Sequence, residues 1–265
     1  MSPPTLPTPP SSTLTPEPLT RASFASFGTA IIPPLPRTQT TPPTPLSSHP
    51  KHDLVPPPVA ANQLSALKYS PISPLLNNYP GQCPSGVREE ARMTMFSCFP
   101  RELRIVYGSE SESGSGNGRG SGSERRVFDV GILERHPFTT QTFTPLDLSS
   151  SSEKEEETYY LVIVAPTLHN QTATATTETG STTSIRDPPD LSRIRAFVAG
   201  GGQAVTYGAG TWHAPMVVIG KRRVDFVVVQ FVNGVAEEDC QEVCFGEGVV
   251  VDLTGGSNGG VKAKL

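Results

Sequence analysis

The sequence has little of what marks several large protein classes. Its four cysteines, Cys83, Cys98, Cys240 and Cys244, form no C-x-x-C pair, so we predict neither a zinc knuckle nor a disulfide framework, and a reducing compartment fits this pattern. A net charge of −4 and a pI near 5.8 leave no basic surplus, so nucleic acid is not an expected partner. No apolar run approaches the roughly 20 residues that span a bilayer, and the opening MSPPTLPTPP does not resemble a signal peptide. We therefore expect a protein that is neither secreted nor bound to a membrane.

Apolar residues are also scarce, and proline is unevenly spread. Only 35% of the 265 residues are hydrophobic, and 17 of the 28 prolines lie in the first 60 positions. Because proline blocks ladder and helix hydrogen bonds, we expect little of the compact core there. The apolar material is concentrated in 126–148, 158–167 and 193–252, which favours a single core.

Several segments are too polar to offset the entropy of ordering. We predict a disordered Pro/Thr-rich arm over 1–16, one domain over 17–252 and a flexible tail over 253–265. Long loops inside a domain are tolerated because closure entropy grows slowly with length. The predicted disordered insertions in the domain are 36–60, 108–125, 149–157 and 168–188.

The runs between these segments have strand length and composition, rich in Val, Ile, Phe and Tyr. They lie at 126–133, 159–164, 194–198, 203–207, 216–219 and 224–232. Closely spaced glycines punctuate them, which is typical of an antiparallel barrel or sandwich and not of βαβ units. Helical character is limited to 65–77 and 86–95, and to a short helix within 17–30 that begins after Thr20 and ends near Gly28.

The most informative string runs from Gly202 through Gly208 and Gly210 to His213. It has the spacing of the second cupin motif, G-x5-P-x-G-x2-H, with Gly208 at the proline position and Val217 where asparagine is preferred. The glycines permit a tight reversal between strands. Taken alone, His213 beside Trp212 is also consistent with a hydrogen-bonded core histidine.

A second string, Glu134-Arg135-His136, approximates the first cupin motif, with Glu134 replacing its first histidine and Gln141 its later glutamate. Alternate residues of a strand share a face, so the carboxylate and the imidazole would lie together and Arg135 would point away. A Glu134–His136 ion pair on a solvated face is the alternative interpretation. By the same alternation, Trp212 faces away from His213 as a packing aromatic.

As a whole the chain resembles the ureidoglycolate lyase family of allantoin degradation. The resemblance lies in ILERHPFTTQTFTPLDL at 132–148, YLVIVAP at 160–166, RAFVAGGGQAVTYGAGTWHAPMVVIG at 195–220 and DFVVVQFVNGVAEEDCQEV at 225–243. It implies a cupin-like antiparallel β-barrel with a few short helices, a homodimer, and the cleavage of (S)-ureidoglycolate to glyoxylate and urea.

The resemblance implies that Glu134, His136 and His213 line the catalytic site. His213 would serve as base or metal ligand, and Glu134 with His136 as the second acid-base or ligand pair, since imidazole titrates near neutral pH. Gln141, Tyr207 and Arg195 are the predicted substrate-binding residues. A guanidinium should bind the substrate carboxylate, and the sequence does not rank Arg195, Arg104 and Lys221 for this role.

Cofactor and function keep alternatives open. The reaction needs no redox cofactor, and because an amide is a poor ligand for transition metals, Gln141 predicts weak or optional binding of a divalent ion such as nickel. A cupin module that binds a small molecule without turnover, or a metal-dependent cupin enzyme acting on another hydroxy acid, would also fit the motifs.

Two further expectations concern location and assembly. The final Ala263-Lys264-Leu265 is a variant of the S-K-L address, which predicts recognition by the peroxisomal import receptor, with the cytoplasm as the alternative location. The stretch 224–232 is apolar on both faces, which predicts a cover over its outer face, either a second subunit or a helix from 61–95.

Overall fold

A computed structural model describes residues 2–7, 9, 11–36, 38–43, 55–107, 124–146, 148 and 158–254. Regular structure in these ranges is predominantly β, which confirms the predicted all-β, cupin-like fold class. In chain order the strands are β1 (Thr5–Leu6), β2 (Ser12–Leu14), β3 (Glu17–Pro18), β4 (Gly28–Ile31), β5 (Val59–Ala61), β6 (Ala66–Lys68), β7 (Glu90–Cys98), β8 (Arg104–Tyr107), β9 (Glu124–Asp129), β10 (Ile132–Arg135), β11 (Gln141–Pro145), β12 (Tyr159–Ala165), β13 (Thr172–Thr176), β14 (Thr182–Arg186), β15 (Arg195–Ala199), β16 (Ala204–Tyr207), β17 (Trp212–His213), β18 (Val217–Ile219), β19 (Val224–Val232), β20 (Gln241–Phe245) and β21 (Val249–Asp252). The helices are α1 (Arg21–Phe24) and α2 (Ala236–Asp239), with 3₁₀ turns at Asn62–Leu64 and Leu191–Arg193.

Three sheets and a hairpin organise these strands. The largest sheet has the order β14-β13-β1-β20-β10-β17-β12-β15-β3, with β18 also paired to β12. A five-stranded sheet has the order β4-β16-β11-β19-β7, a third has β2-β21-β9-β8, and β5 pairs with β6. None of the helices in the described part of the chain has the length and apolar character needed to cross a membrane.

Strand β12 of the large sheet is buried on both faces. On β12, Tyr160, Val162 and Val164 belong to a cluster with side chains of the five-stranded sheet, while Leu161 and Ile163 pack with residues of β9 and β21 on the opposite side. Strands buried on both faces read as continuous apolar runs, which explains why the sequence of β12 shows no alternation. The space between the large and the five-stranded sheet is the interior that receives the site.

The N-terminal arm differs from its prediction. Residues 1–16 were predicted to be disordered, but β1 pairs in parallel with β20 and β2 with β21. Leu6, Leu19, Phe24 and Phe27 are buried, so the proline-rich N-terminal region does contribute to the core. Proline is compatible with such short pairings because ladder bonds are needed at few positions; β1 lies between Pro4 and Pro7, and β2 ends two residues before Pro16.

The predicted insertions have different outcomes. The segment 168–188 was predicted to be disordered, yet it contains the antiparallel hairpin β13–β14 with Thr174 opposite Ser184. Its many threonines favour extended structure, and a prediction based on polarity alone overlooks this β propensity. Residues 44–54, 108–123, 149–157 and 255–265 lie outside the described ranges, so the predictions made for them stay predictions.

The predicted helices at 65–77 and 86–95 are wrong. Ala66–Lys68 is a strand, and Glu90–Cys98 forms β7, which pairs along its whole length with β19. Long-range pairing with an apolar neighbour overrides local helix propensity. The short helix after Thr20 is confirmed as α1, with a capping box between Thr20 and Ser23.

Candidate active site

Strand register brings the two distant sequence motifs together. Strand β17 pairs with β10, and Glu134 is the direct partner of His213. His136 follows the end of β10, and its carbonyl accepts a hydrogen bond from the Gly210 amide at 2.8 Å. Gly210 has a φ of +77°, a left-handed conformation that glycine adopts without steric cost. The glycine turn thus joins both motifs directly.

The three predicted catalytic residues converge. Ligand atoms of Glu134, His136 and His213 lie within 4.8 Å of one another. The His213 side chain is 1% exposed and that of Glu134 is 19% exposed, with 3.4 Å between His213 Nε2 and Glu134 Oε1. The solvated ion pair of Glu134 with His136 is therefore not the arrangement that the fold adopts.

A hydrogen bond defines the tautomer of His213. Its Nδ1 lies 2.9 Å from the carbonyl oxygen of Thr211, and because a carbonyl only accepts, Nδ1 carries the proton. Nε2 then faces Glu134 Oε1, and it lies 3.2 Å from Gln141 Oε1. With the proton on Nδ1, Nε2 and these two oxygens are all acceptors, so the arrangement suits a donor hydrogen or a metal cation placed between them.

His136 presents an unpaired nitrogen to the same space. Its Nδ1 donates to the Asp239 carbonyl at 2.6 Å, while its buried Nε2 has no hydrogen-bond partner among the described residues. Burial, reinforced by the charge of His213, lowers the pKa of His136 to about 4. His136 is consequently neutral near pH 7, with the Nε2 lone pair directed at the cluster.

Glu134 stays ionised despite its burial. Burial raises its pKa, but the hydrogen bond and the charge of His213 outweigh burial and leave the pKa below the usual value. The Cys240 Sγ lies 4.0 Å from Glu134 Oε2. Burial and the nearby Glu134 charge raise the pKa of this thiol to about 12, so Cys240 faces the carboxylate as a neutral thiol.

Gln141 is oriented by a residue that the sequence analysis missed. Its amide Nε2 donates to Gln230 Oε1 at 2.7 Å, which turns Oε1 of Gln141 toward His213. Gln230 lies within the long apolar strand β19, where a single glutamine among valines was the available signal. The predicted substrate-binding residue Gln141 is thus part of the cluster.

Tyr207 supports the imidazole of His213. Its ring stacks on that of His213 with 3.9 Å between centroids and 11° between planes. Its buried hydroxyl has no hydrogen-bond partner among the described residues, and burial raises its pKa well above the usual value. Tyr207 is therefore a neutral phenol packed against the site.

Arg135 and Trp212 face away from the site, as their alternation predicts. The Arg135 guanidinium lies over the Trp212 ring at 4.7 Å and donates to Gln241 and to the carbonyls of Arg186 and Asp187. Trp212 Nε1 also donates to the Asp187 carbonyl. Together they hold the hairpin β13–β14 against the back of the motif strands.

The structure does not bring the predicted Arg195 into the cluster. Arg195 donates to both carboxylate oxygens of Glu17 at 3.0 and 2.8 Å. It lies on β15, two strands away from His213 on β17, which corresponds to about 10 Å between backbones. The alternative Arg104 donates to Asp129 in another sheet.

A segment around Tyr79 and Ser85 braces the outer side of the site. Tyr79 Oη donates to Asp239 Oδ1 at 2.7 Å, and Ser85 Oγ donates to Glu238 Oε2 at 2.6 Å. Asp239 is the residue whose carbonyl accepts from His136. We call Tyr79–Ser85 with α2 the clamp, a feature for which the sequence carries no recognisable motif.

The cluster has the chemistry of a metal site. Two imidazole nitrogens and a carboxylate oxygen are within ligand spacing, the orphaned Nε2 of His136 is directed at the cluster, and both histidines donate their other nitrogen to backbone carbonyls. Such carbonyl contacts orient metal-binding histidines. The donor set therefore fits a divalent ion with Gln141 Oε1 as a weak additional ligand.

Comparisons with known proteins converge on one family. The family model described as ureidoglycolate lyase matches residues 11–252. A ureidoglycolate lyase of Schizosaccharomyces pombe is 36% identical over 183 residues, covering 69% of this chain and 75% of that protein. The Saccharomyces cerevisiae ureidoglycolate lyase is 32% identical over 195 residues, covering 72% and 80%. That of Pseudomonas syringae pv. syringae is 33% identical over 124 residues, covering 47% and 55%.

Proposed function

The chain belongs to the ureidoglycolate lyase family, and we propose that the cluster of Glu134, His136 and His213 is where it cleaves ureidoglycolate to glyoxylate and urea. The chain is thus a carbon–nitrogen lyase. The observation that carries the assignment is the meeting of an ionised carboxylate, a neutral imidazole and a second imidazole in one buried cluster. Allantoin breakdown is the pathway that this substrate implies.

The reaction moves one proton without net uptake or release. The hydroxyl of the substrate loses its proton and becomes the carbonyl of glyoxylate, the carbon–nitrogen bond breaks, and the departing urea nitrogen gains a proton. A pair that shares one proton can perform both transfers, and Glu134 with His213, 3.4 Å apart, is such a pair. Positioned acid-base groups of this kind contribute about 10²–10⁴-fold in rate.

His136 and Gln141 complete the site by binding. The open Nε2 of His136 can accept a hydrogen bond from the substrate hydroxyl or a urea N–H. Gln141, held by Gln230, offers its amide oxygen to the urea hydrogens. We assign Tyr207 the role of fixing the ring plane of His213 and not of contacting the substrate through its hydroxyl.

A divalent ion is an optional part of the proposal. Glu134, His136 and His213 would hold it, and it would supply Lewis-acid polarisation of the substrate oxygens. Calorimetric titration of the protein with nickel should show binding that His136→Ala abolishes. No binding to the wild-type protein would contradict the metal proposal and leave the proton pair intact.

The lyase assignment is tested by turnover. The purified protein should release glyoxylate and urea from ureidoglycolate above the spontaneous rate. His213→Ala should lower this enzymatic rate by about 10²–10⁴-fold. Arg125→Gln, on β9 in another sheet, is the control and should keep the wild-type rate. Equal rates with and without protein would instead favour a cupin that binds without turnover.

We also propose a homodimer through the outer face of β7 and β19. On this face Met93 and Met95, 73% and 53% exposed, pair with Val229 and Val227. β7 is also the terminal strand of its sheet, and a long apolar edge strand is covered in most soluble proteins. The alternative cover, a helix from 61–95, is wrong because this region contains strands. A second copy would bury the apolar face by the symmetric pairing usual in homodimers.

Import into peroxisomes through Ala263-Lys264-Leu265 stays a proposal based on the sequence, because these residues lie outside the described ranges. A fluorescent fusion ending in this tripeptide should give a punctate signal. Deleting the three residues should make the signal diffuse, and a diffuse signal from both fusions would contradict the proposal in favour of the cytoplasm.

A further inference from the structure

The proposed substrate carries a carboxylate, and the catalytic cluster of Glu134, His136 and His213 contains no arginine or lysine for it. Glu134, Gln141 and the histidines present mostly acceptor atoms. A carboxylate near them needs a positively charged donor, and a guanidinium binds carboxylates with two parallel hydrogen bonds. The following inference rests on the proposed function, because it concerns the substrate of that same site.

Strand register places one arginine beside the cluster. In the pairing of β7 with β19, Arg92 lies directly opposite Gln230. Directly paired residues project from the same face of a sheet, with Cβ atoms about 4.5–5.5 Å apart. Gln230 binds Gln141 at 2.7 Å, and Gln141 contacts His213 at 3.2 Å, so Arg92 lies one side chain beyond the site.

A second residue of β7 shows independently that this face turns toward the interior. Phe96 lies four positions after Arg92 and therefore on the same face of the strand. Its ring contacts that of Phe143 at 5.8 Å between centroids, and Phe143 contacts Tyr207 at 6.1 Å. Since Tyr207 stacks on His213, the inner face of β7 adjoins the site at two points.

The guanidinium of Arg92 is available for exchange. It is bound to Glu90, and the two side chains are 50% and 68% exposed. Exposed ion pairs of this kind contribute little to stability, so a substrate carboxylate can replace that of Glu90. The other arginines near the core are committed, with Arg195 bound to Glu17 and Arg135 to Gln241 and backbone carbonyls.

We propose that Arg92 binds the carboxylate of ureidoglycolate at the mouth of the site. Arg92 would bind the carboxylate at one end of the substrate. The carbinol carbon and the urea group at the other end would then reach Glu134, His213 and Gln141. Arg92 would thus select α-hydroxy acids over uncharged carbinol ureas. Neither transfer of the shared proton involves Arg92, so its effect falls on substrate binding.

The test compares three variants with the wild-type lyase. Arg92→Gln should raise KM by about 10- to 100-fold, the loss expected for a charged hydrogen bond, with a much smaller change in kcat. The KM of Arg92→Lys should lie between those of wild type and Arg92→Gln, because an ammonium group keeps the charge but lacks the bidentate geometry. Arg125→Gln removes another surface arginine, 41% exposed and paired with Asp252, and should leave KM unchanged.

A neutral substrate analogue separates charge recognition from general damage. With the carboxamide of ureidoglycolate, Arg92→Gln and wild type should turn over at equal kcat/KM, because no carboxylate is present. An unchanged KM for ureidoglycolate in Arg92→Gln, or an equal loss with the carboxamide, would overturn the proposal. A wild-type protein inactive on ureidoglycolate would overturn the proposed function instead, which is a different result.

Discussion

At the scale of single residues, the site contains more hydrogen-bond acceptors than donors. His213 Nε2 faces two oxygens at 3.2 and 3.4 Å, and the buried Nε2 of His136 has no partner among the described residues. Buried acceptors without donors are costly. Proteins keep such unpaired acceptors at sites where substrate hydrogens or a cation supply the missing partner. The arrangement therefore agrees with a site that binds a hydroxyl and a urea group.

Gln230 offers a test at this scale, because it orients Gln141 without reaching the cluster itself. Gln230→Leu removes the acceptor of the Gln141 amide and should lower kcat/KM by about 2- to 10-fold, the worth of a neutral hydrogen bond. Steady-state assays of glyoxylate release would measure it. The exposed Gln171→Leu is the control, and equal activity in both variants would show that Gln141 needs no partner to hold its orientation.

At the scale of elements, the clamp connects a surface segment to the site. Tyr79 donates to the Asp239 side chain, the Asp239 carbonyl accepts from His136, and Glu238 is held by Ser85 and Asn233. α2 has only four residues, and helices this short are not stable alone. Its position therefore depends on these side-chain bonds.

The clamp has a predictable pH dependence. Hydrogen bonds from Ser85, and then from Asn233, lower the pKa of Glu238 in the folded protein. A lowered folded pKa stabilises the fold above the unfolded value of about 4.3 and loses this contribution as the pH falls through the folded value. Glu238→Gln should thus be less stable than wild type at pH 7.

Urea denaturation at several pH values measures this difference. The gap between the midpoints of wild type and Glu238→Gln should be constant near neutral pH and should narrow below about pH 4. Glu247→Gln, at a carboxylate near β21 for which the structure shows no comparable clamp, is the control. A gap that keeps its size in acid would mean that the Glu238 charge does not stabilise the clamp.

At the scale of the whole molecule, the large sheet has its two faces covered unequally. One face packs against β9 and β21 and the other against the five-stranded sheet. The outer side of that second sheet remains apolar at Met93 and Met95. This asymmetry is the physical basis for the proposed dimer.

Charge placed on this face should separate the subunits. Met93→Glu combined with Met95→Glu should convert a dimer to a monomer, because burying two carboxylates without partners is strongly unfavourable. Sedimentation velocity would report the change. Val59→Glu, at a position 64% exposed on β5, should remain dimeric, and a monomeric wild type would refute the interface.

The sequence by itself determined the β class, most strands and the three residues Glu134, His136 and His213 that the fold brings together. Apolar runs such as Tyr159–Ala165 and the glycine turn before His213 are local signals, and local signals can be recognised in the linear sequence. It misjudged Glu90–Cys98 and the arm 1–16, because both become strands only through partners far along the chain. Polarity and proline content characterise a segment itself, but they do not reveal which distant strand it pairs with.

Only the tertiary structure decided the histidine tautomers and the wider lining of the site. The tautomers of His136 and His213 depend on the carbonyls of Asp239 and Thr211, and the positions of Gln230 and Arg92 depend on the register of β7, β19 and β11. A register shift of one residue would turn these side chains to the opposite face. Which groups meet is therefore a property of strand pairing, while which groups are capable of the chemistry is already present in the sequence.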